Sequence, residues 1–377
     1  MKLFTTRQTS CGSFDNFIFE YIWLDSDKEF RSKTKIMTNL EVMEIGALDS
    51  LFGLNSDNRM TVAKLLPDWN YEGSSTGQAT TDNSEIVLRP CCVFVDPFRT
   101  NHKNPYPAYL VLCETYHLTG EPTSSNTREK AVKLFETHAD AEPWFGLEQE
   151  YFIIDKNNLP LGFSLTDNGI IEYPSPQGKY YCGVGSDKLF GREIAEQHMK
   201  DCLTAGVKIC GINAEVAPSQ WEYQIGICNG IESADHLSMS RYIMGRTTEL
   251  YGMTATIHPK PLGSNNEWNG SGCHTNFSTK AMREENGIVK IQETINKLSE
   301  QHSHDILYFG LQNENRLTGN NETSDYYSFS WGVANRKASV RIPHQVMVDK
   351  KGYFEDRRPA ANCDPYLVTS LIMKASM

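Results

Sequence analysis

Two glutamates at alternate positions of an apolar run constrain this chain more than any other feature. They are Glu148 and Glu150 in Trp144-Phe145-Gly146-Leu147-Glu148-Gln149-Glu150-Tyr151-Phe152-Ile153-Ile154. The aromatic and β-branched make-up predicts a strand, and strand side chains alternate between faces, so the two carboxylates share one face. Side by side they repel unless a cation or solvent relieves them. Either that face is half exposed to water or it meets a cation.

Val207–Gly226 poses the same choice, with Asn213-Ala214-Glu215 and Gln220-Trp221-Glu222-Tyr223-Gln224 around a turn-like Ala217-Pro218-Ser219. A two-residue loop at Pro218-Ser219 predicts Glu215 directly opposite Glu222, a like-charge pair that a cation would relieve. A solvent-exposed hairpin is the alternative. In Trp268-Asn269-Gly270-Ser271-Gly272-Cys273-His274-Thr275-Asn276-Phe277-Ser278 a glycine-rich loop runs into a strand with His274, Asn276 and Ser278 on one face. A lone histidine of this kind is a structural residue or a ligand.

Neither a Walker A pattern nor GxGxxG occurs, so any nucleotide site rests on metals and arginines. The C-terminal third supplies Arg316, Arg336, Arg341, Arg357 and Arg358. Guanidinium groups of this kind suit bidentate binding of carboxylate and phosphate. Glu355-Asp356-Arg357-Arg358 reads equally as a surface ion-pair cluster. Together, five glutamates, one histidine and the arginines favour magnesium or manganese over zinc, and metal-assisted chemistry on a phosphate. They leave the acceptor open.

The 377 residues suit two domains, and 39% hydrophobic with 22% charged residues fits a soluble chain with a large core. A net charge of −11 argues against nucleic acid or an anionic membrane as partner. No apolar run approaches the ~20 residues of a membrane helix. Ten cysteines without a CxxC pair read as reduced thiols in a cytoplasmic protein. Met1–Phe14, with Lys2 and Arg7, reads as an extended terminus, with organelle targeting as the alternative. The sequons at Asn269, Asn276 and Asn321 are chance matches. Short strands fill the first part, with a hairpin of Phe19–Trp23 and Phe30–Met37 about an Asp25–Lys28 turn, and further strands at Glu85–Leu88, Cys92–Val95 and Tyr109–Cys113. A helix capped by Asn126 with Glu129 three residues on opens the second part, and further helices are expected at Arg192–Ala205, Ser233–Tyr251 and Ile288–His302.

The longest motifs are Asn70-Tyr71-Glu72-Gly73-Ser74-Ser75-Thr76, Gly146–Tyr151, Asn213–Val216, Asn269–Asn276, Arg316-Leu317-Thr318-Gly319, Gly332-Val333-Ala334-Asn335-Arg336 and Gly352–Pro359. In this order they resemble the eukaryotic glutamine synthetases from about Phe19 to the C-terminus. The resemblance implies an α+β protein with an N-terminal tail (1–18), a small β-grasp domain (19–113) and a catalytic domain (114–377). In the last, helices flank a curved antiparallel sheet. It implies a decamer of two pentameric rings with active sites between subunits. The implied reaction joins ammonium to the side-chain carboxylate of L-glutamate at the expense of ATP, through γ-glutamyl phosphate. A non-catalytic relative and a γ-glutamyl-amine ligase are the alternatives.

Position by position, the resemblance implies that Glu148, His274 and Glu355 hold one magnesium or manganese ion, and Glu150, Glu215 and Glu222 another. Glu148, Glu222, Asn276, Phe277, Ser278, Arg336, Arg341 and Tyr353 fall at ATP positions. Trp268, Asn269, Gly270, Arg316, Arg336 and Arg357 fall at substrate positions, and Glu72, Glu322, Arg336 and Arg357 at catalytic ones. Two departures stand out: Glu72 where the family has Asp, and Glu267 in a longer loop.

Overall fold

The computed structural model describes residues 14–99, 105–168, 171–172, 177–263, 268–320 and 322–377. Lys2, Arg7, Glu267 and the Asn321 sequon lie outside the described residues. The chain forms two compact units, one of residues up to Asn126 with Thr204–Gly206, the other of Thr127–Leu203 and Val207–Met377. The expected edge at 114 falls inside a strand of the first unit, and the expected tail overlaps its first strand.

The first unit is built on β1 (Asn16–Leu24), β2 (Phe30–Thr38), β3 (Trp69–Glu72), β4 (Glu85–Val95) and β5 (Ala108–His117), ordered β2-β1-β5-β4-β3. The hairpin of β1 and β2 forms where expected. Asp25 closes its turn, Oδ1 accepting from the backbone of Asp27 at 2.9 Å and Glu29 at 3.0 Å. The parallel pairing of β1 with β5 crosses over between chain-distant segments. The two expected strands at 85–88 and 92–95 are one strand, β4, with a register shift between Pro90 and Cys92. Proline has no N–H to give the ladder, so it is tolerated at such an irregularity. Alternate β1 residues Phe17, Phe19, Tyr21 and Trp23 pack with Val42, Leu51, Val62 and Leu66 beneath three short helices.

The second unit carries β6 (Trp144–Ile154), a separate pair β7 (Ser164–Leu165) and β8 (Ile171–Glu172), then β9 (Ile209–Ala214), β10 (Gln220–Asn229), β11 (Thr254–Thr256), β12 (Cys273–Ser278), β13 (Trp331–Val333), β14 (Val340–Ile342) and β15 (Phe354–Asp356). Its main sheet runs β13-β14-β15-β12-β6-β10-β9, with β11 also on β6, antiparallel except for β13 beside β14. The sheet curls into a half-barrel flanked by helices, the α+β arrangement expected.

Three of the helices sit within a residue or two of their expected bounds: Arg192–Ala205, Glu232–Leu250 and Ile288–Glu300. The helix Arg128–Thr137 starts where expected but not through its expected cap. Thr127 stands at the cap position and makes no capping bond, its hydroxyl donating instead to Asp364 Oδ2 at 2.8 Å. Asp364 is itself a working cap, with Oδ1 accepting from the backbone of Tyr366 and Leu367 at the start of the C-terminal helix Pro365–Ser376. Asp235 then joins three helices, taking Nε and Nη2 of Arg128 and the hydroxyl of Tyr366, each at 2.8 Å.

Alternation along the central strands separates two faces. Phe145, Leu147 and Tyr151 of β6, Trp221, Tyr223 and Ile225 of β10, and Phe277 of β12 are buried in the core. The residues between them make the other face.

Candidate active site

Pairing fixes the acids of that face in rows. On β6, Glu148 lies between His274 of β12 and Gln224 of β10, while Glu150 lies opposite Glu222. Further out, Asn276 pairs with Glu355 of β15, and Glu355 with Arg341 of β14. The expected opposition of Glu215 and Glu222 does not occur. Asn213 stands across from Glu222, and the Glu215 N–H bonds the Gln220 carbonyl at 2.8 Å. The loop is longer than two residues because Ser219 turns through a left-handed φ of 54° after Pro218.

Two groups of ligand atoms result, Glu148 with His274 and Glu355, and Glu150 with Glu215 and Glu222, each gathered within 4.8 Å. In the first, His274 Nδ1 is 3.5 Å from Glu148 and 3.6 Å from Glu355. Burial first, and Arg357 second, hold its imidazole well below its usual range, so its lone pair is free for a cation. Asn276 donates to Glu148 at 2.8 Å, and Arg357 Nη1 to Glu355 Oε1 at 2.7 Å, with Arg341 Nε on the other oxygen of Glu355. In the second group, burial and mutual repulsion push all three carboxyls upward. Among the described residues no cation forms an ion pair with these three acids, and arginines act on them only from a distance, so the group is a poor structural device and a good oxygen-rich site for a hard divalent ion. The donor sets fit such ions.

Arginines lie within electrostatic reach of both groups. Arg316 and Arg357 both lie within electrostatic reach of Glu150. Arg316 is buried, its Nη2 spread over the carbonyls of Arg357, Arg358 and Pro359 at 3.1, 2.7 and 3.1 Å. A Cβ at Gly270 would stand 2.1 Å from the Pro259 carbonyl and 2.8 Å from Arg316 Cγ, so only glycine allows this approach. Arg357 Nη2 reaches the Glu322 carbonyl at 3.3 Å, and Arg336 pairs with the Glu322 carboxylate at 3.1 Å.

Glu355-Asp356-Arg357-Arg358 is no surface cluster. Glu355 and Arg357 face the site, whereas Asp356 and Arg358 form a fully buried pair at 2.6 Å on the opposite side, backed by His302 and Phe309.

The glutamine synthetase catalytic domain matches residues 125–377. Proteins named glutamine synthetase align along almost the whole chain: 47% identical in Mus musculus over 95% of this chain and 89% of that one, 46% in Homo sapiens over the same shares. In Fusarium solani subsp. phaseoli the identity is 46%, over 95% and 92%.

The chain belongs to the glutamine synthetase family.

Not every position that the glutamine synthetase motifs suggest turns its side chain to this face. Phe277 packs between Phe145 and Phe354, leaving only its backbone toward the site. Ser278 Oγ is taken by Arg283 Nη1 at 3.0 Å. Trp268 sits in a buried aromatic cluster with Phe163, and the Asn269 N–H donates to Gln177 at 2.8 Å. Tyr353 is exposed but within electrostatic reach of Arg341. Glu72 belongs to the first unit, where its carboxylate accepts from the backbone of Ser74 at 2.9 Å and Ser75 at 3.0 Å. The Ser74 and Ser75 bonds hold its carboxyl down to about 2.

Sequence reading missed Tyr181, whose phenol is in electrostatic reach of Glu215, Arg336 and Glu222. It also missed Arg241, whose Nε bonds Gln149 Oε1 at 2.8 Å behind the two β6 glutamates. Neither carries a spacing signal, since both reach their places through long-range folding.

Proposed function

We propose that this chain ligates ammonium to the side-chain carboxylate of L-glutamate, using ATP and yielding L-glutamine, ADP and phosphate. The observation that carries this reading is the pair of acid-rich ligand groups gathered at one sheet face with arginines in electrostatic reach of both.

The glutamate carboxylate attacks the terminal phosphorus of ATP, ADP leaves, and γ-glutamyl phosphate forms. Ammonium gives one proton to water, the ammonia so formed attacks the γ-carbon, and the phosphate departs with a second proton from the nitrogen, leaving the amide. Magnesium or manganese ions, held by Glu148, His274 and Glu355 and by Glu150, Glu215 and Glu222, would neutralise phosphate charge. Arg336, Arg341 and Arg357 oppose the charge that develops on the transferring group, in surroundings where burial strengthens such contacts. Asn269, Gly270, Trp268 and Arg316 serve the glutamate end. Asn276, Phe277 (by its backbone), Ser278, Tyr353 and Glu222 serve the nucleotide. Glu322, tied to Arg336 and Arg357, closes the site against water, and Glu72 attracts ammonium as a fixed negative charge.

The same reading includes a decamer of two pentameric rings that shares each site between subunits, and a cytoplasmic location. An assay of phosphate release with glutamate, ATP, ammonium and manganese, each omitted in turn, tests the reaction. Turnover that persists without ammonium, or that survives in Glu148→Ala and Arg357→Ala, sinks it.

A further inference from the structure

Gln220 opens β10, only 1% exposed, at the foot of the hairpin whose tip carries Glu215. Its amide nitrogen donates to the Gly270 carbonyl at 3.1 Å and lies 3.4 Å from Glu150 Oε2. The Gly270 carbonyl can only accept, and Glu150 Oε2 already accepts from the Gly272 N–H, so the amide nitrogen is the end turned toward them. The other end, Oε1, is buried and has no hydrogen-bond partner among the described residues. Glu150 Oε2 is meanwhile held by the Gly272 N–H at 2.8 Å. One side chain thus spaces a carboxylate of β6 from a carbonyl of the glycine-rich loop, and leaves a third acceptor open beside them.

We propose that Gln220 is a positioning residue of the amino-acid subsite. Its N–H groups set the spacing of Glu150 and the Gly270 carbonyl, and its carbonyl accepts from the ammonium group of the bound amino acid. A primary ammonium group brings several N–H donors and a positive charge, which is what a cluster of acceptors with one carboxylate takes best. A buried acceptor with no donor is costly, so its satisfaction by the ligand strengthens binding of an ammonium-bearing molecule over an analogue lacking it. This rests on glutamate being the substrate.

The test compares L-glutamate with glutarate, its counterpart without the ammonium group, in wild type and Gln220→Met. The variant is expected to raise the KM for glutamate about tenfold, with the inhibition constant of glutarate and the KM for ATP changed less than about twofold. Manganese binding, titrated without substrate, is expected to stay within about twofold. Parallel weakening of glutamate and glutarate, an unchanged glutamate KM, or weakened manganese binding that accounts for the whole effect overturns the proposal. Should Gln220→Met not fold, Gln220→Asn, which withdraws the same amide by one methylene, is expected to weaken glutamate more than glutarate. Equal weakening of the two also overturns the proposal. Wild-type turnover with glutamate, read first, tests the reaction separately.

Discussion

Glu150 stands directly across the strand pair from Glu222, and neither is free to swing into water. Burial and mutual repulsion raise both carboxyls, so the metal-free fold loses stability here whether the pair stands as two like charges or takes up a proton near neutrality. Glu222→Gln is therefore expected to raise the melting temperature of the metal-free protein by about 1–3 °C while reducing the further rise on adding manganese. Thermal melts with and without manganese check this. A metal-free melting point that falls would show that the pair is not in conflict.

Arg357 and Arg358 are neighbours with opposite fates. Arg357→Ala is expected to cost a hundredfold or more in turnover, roughly 2.7 kcal/mol of transition-state stabilisation, and to lower melting less than Arg358→Ala does, because Glu355 keeps Arg341 as a partner. Arg358→Ala leaves Asp356 buried and unpaired, and is expected to destabilise by about 3–5 kcal/mol. Circular dichroism melts beside turnover assays separate the two. Equal loss of stability in both contradicts the assignment of faces.

Glu72 bears one methylene more than the aspartate that the resemblance implies at this position, and its carboxylate turns onto the N–H groups of Ser74 and Ser75. Glu72→Asp is expected to change ammonium-dependent turnover by up to about a hundredfold, since an ångström of misplacement acts on that scale. The wild type is expected to be active. No synthesis by the wild type, with synthesis restored in Glu72→Asp, would refute the role given to Glu72.

Glu232 offers a pH prediction away from the site. Burial pushes its carboxyl up, but His236 and Lys208 outweigh that and hold it down to about 2 against an ordinary 4.5. A depressed acid stabilises the fold above its unfolded value and loses that contribution as pH falls. The window lies between 4.5 and about 2. Glu232→Gln is expected to lower the melting temperature near neutrality and to narrow its gap to wild type as pH falls through that window. A gap that widens toward acid pH contradicts the pairing.

Much of this site was legible because strand alternation is a local rule. Glu148 and Glu150 on one face, His274 with Asn276, and Glu222 with Gln224 follow from a period of two. Register is not local. The expected facing of Glu215 and Glu222 depended on a loop length that the left-handed turn at Ser219 changed, so the like-charge pair lies instead between β6 and β10. The cap expected at Asn126 failed for a related reason, since Thr127 is drawn to Asp364, distant in sequence. Tyr181, Arg241 and the amide of Gln220 lay beyond reading, because contacts made only by folding give each its place.

The run Glu355-Asp356-Arg357-Arg358 assigns its side chains in turn to opposite sides of the sheet. Adding or removing one residue ahead of it would transpose the whole set, sending the working guanidinium inward and the internal anchor out. Substitutions here can be graded in effect; a change of length cannot. Chain length through this stretch is thus as tightly constrained as the identity of its residues.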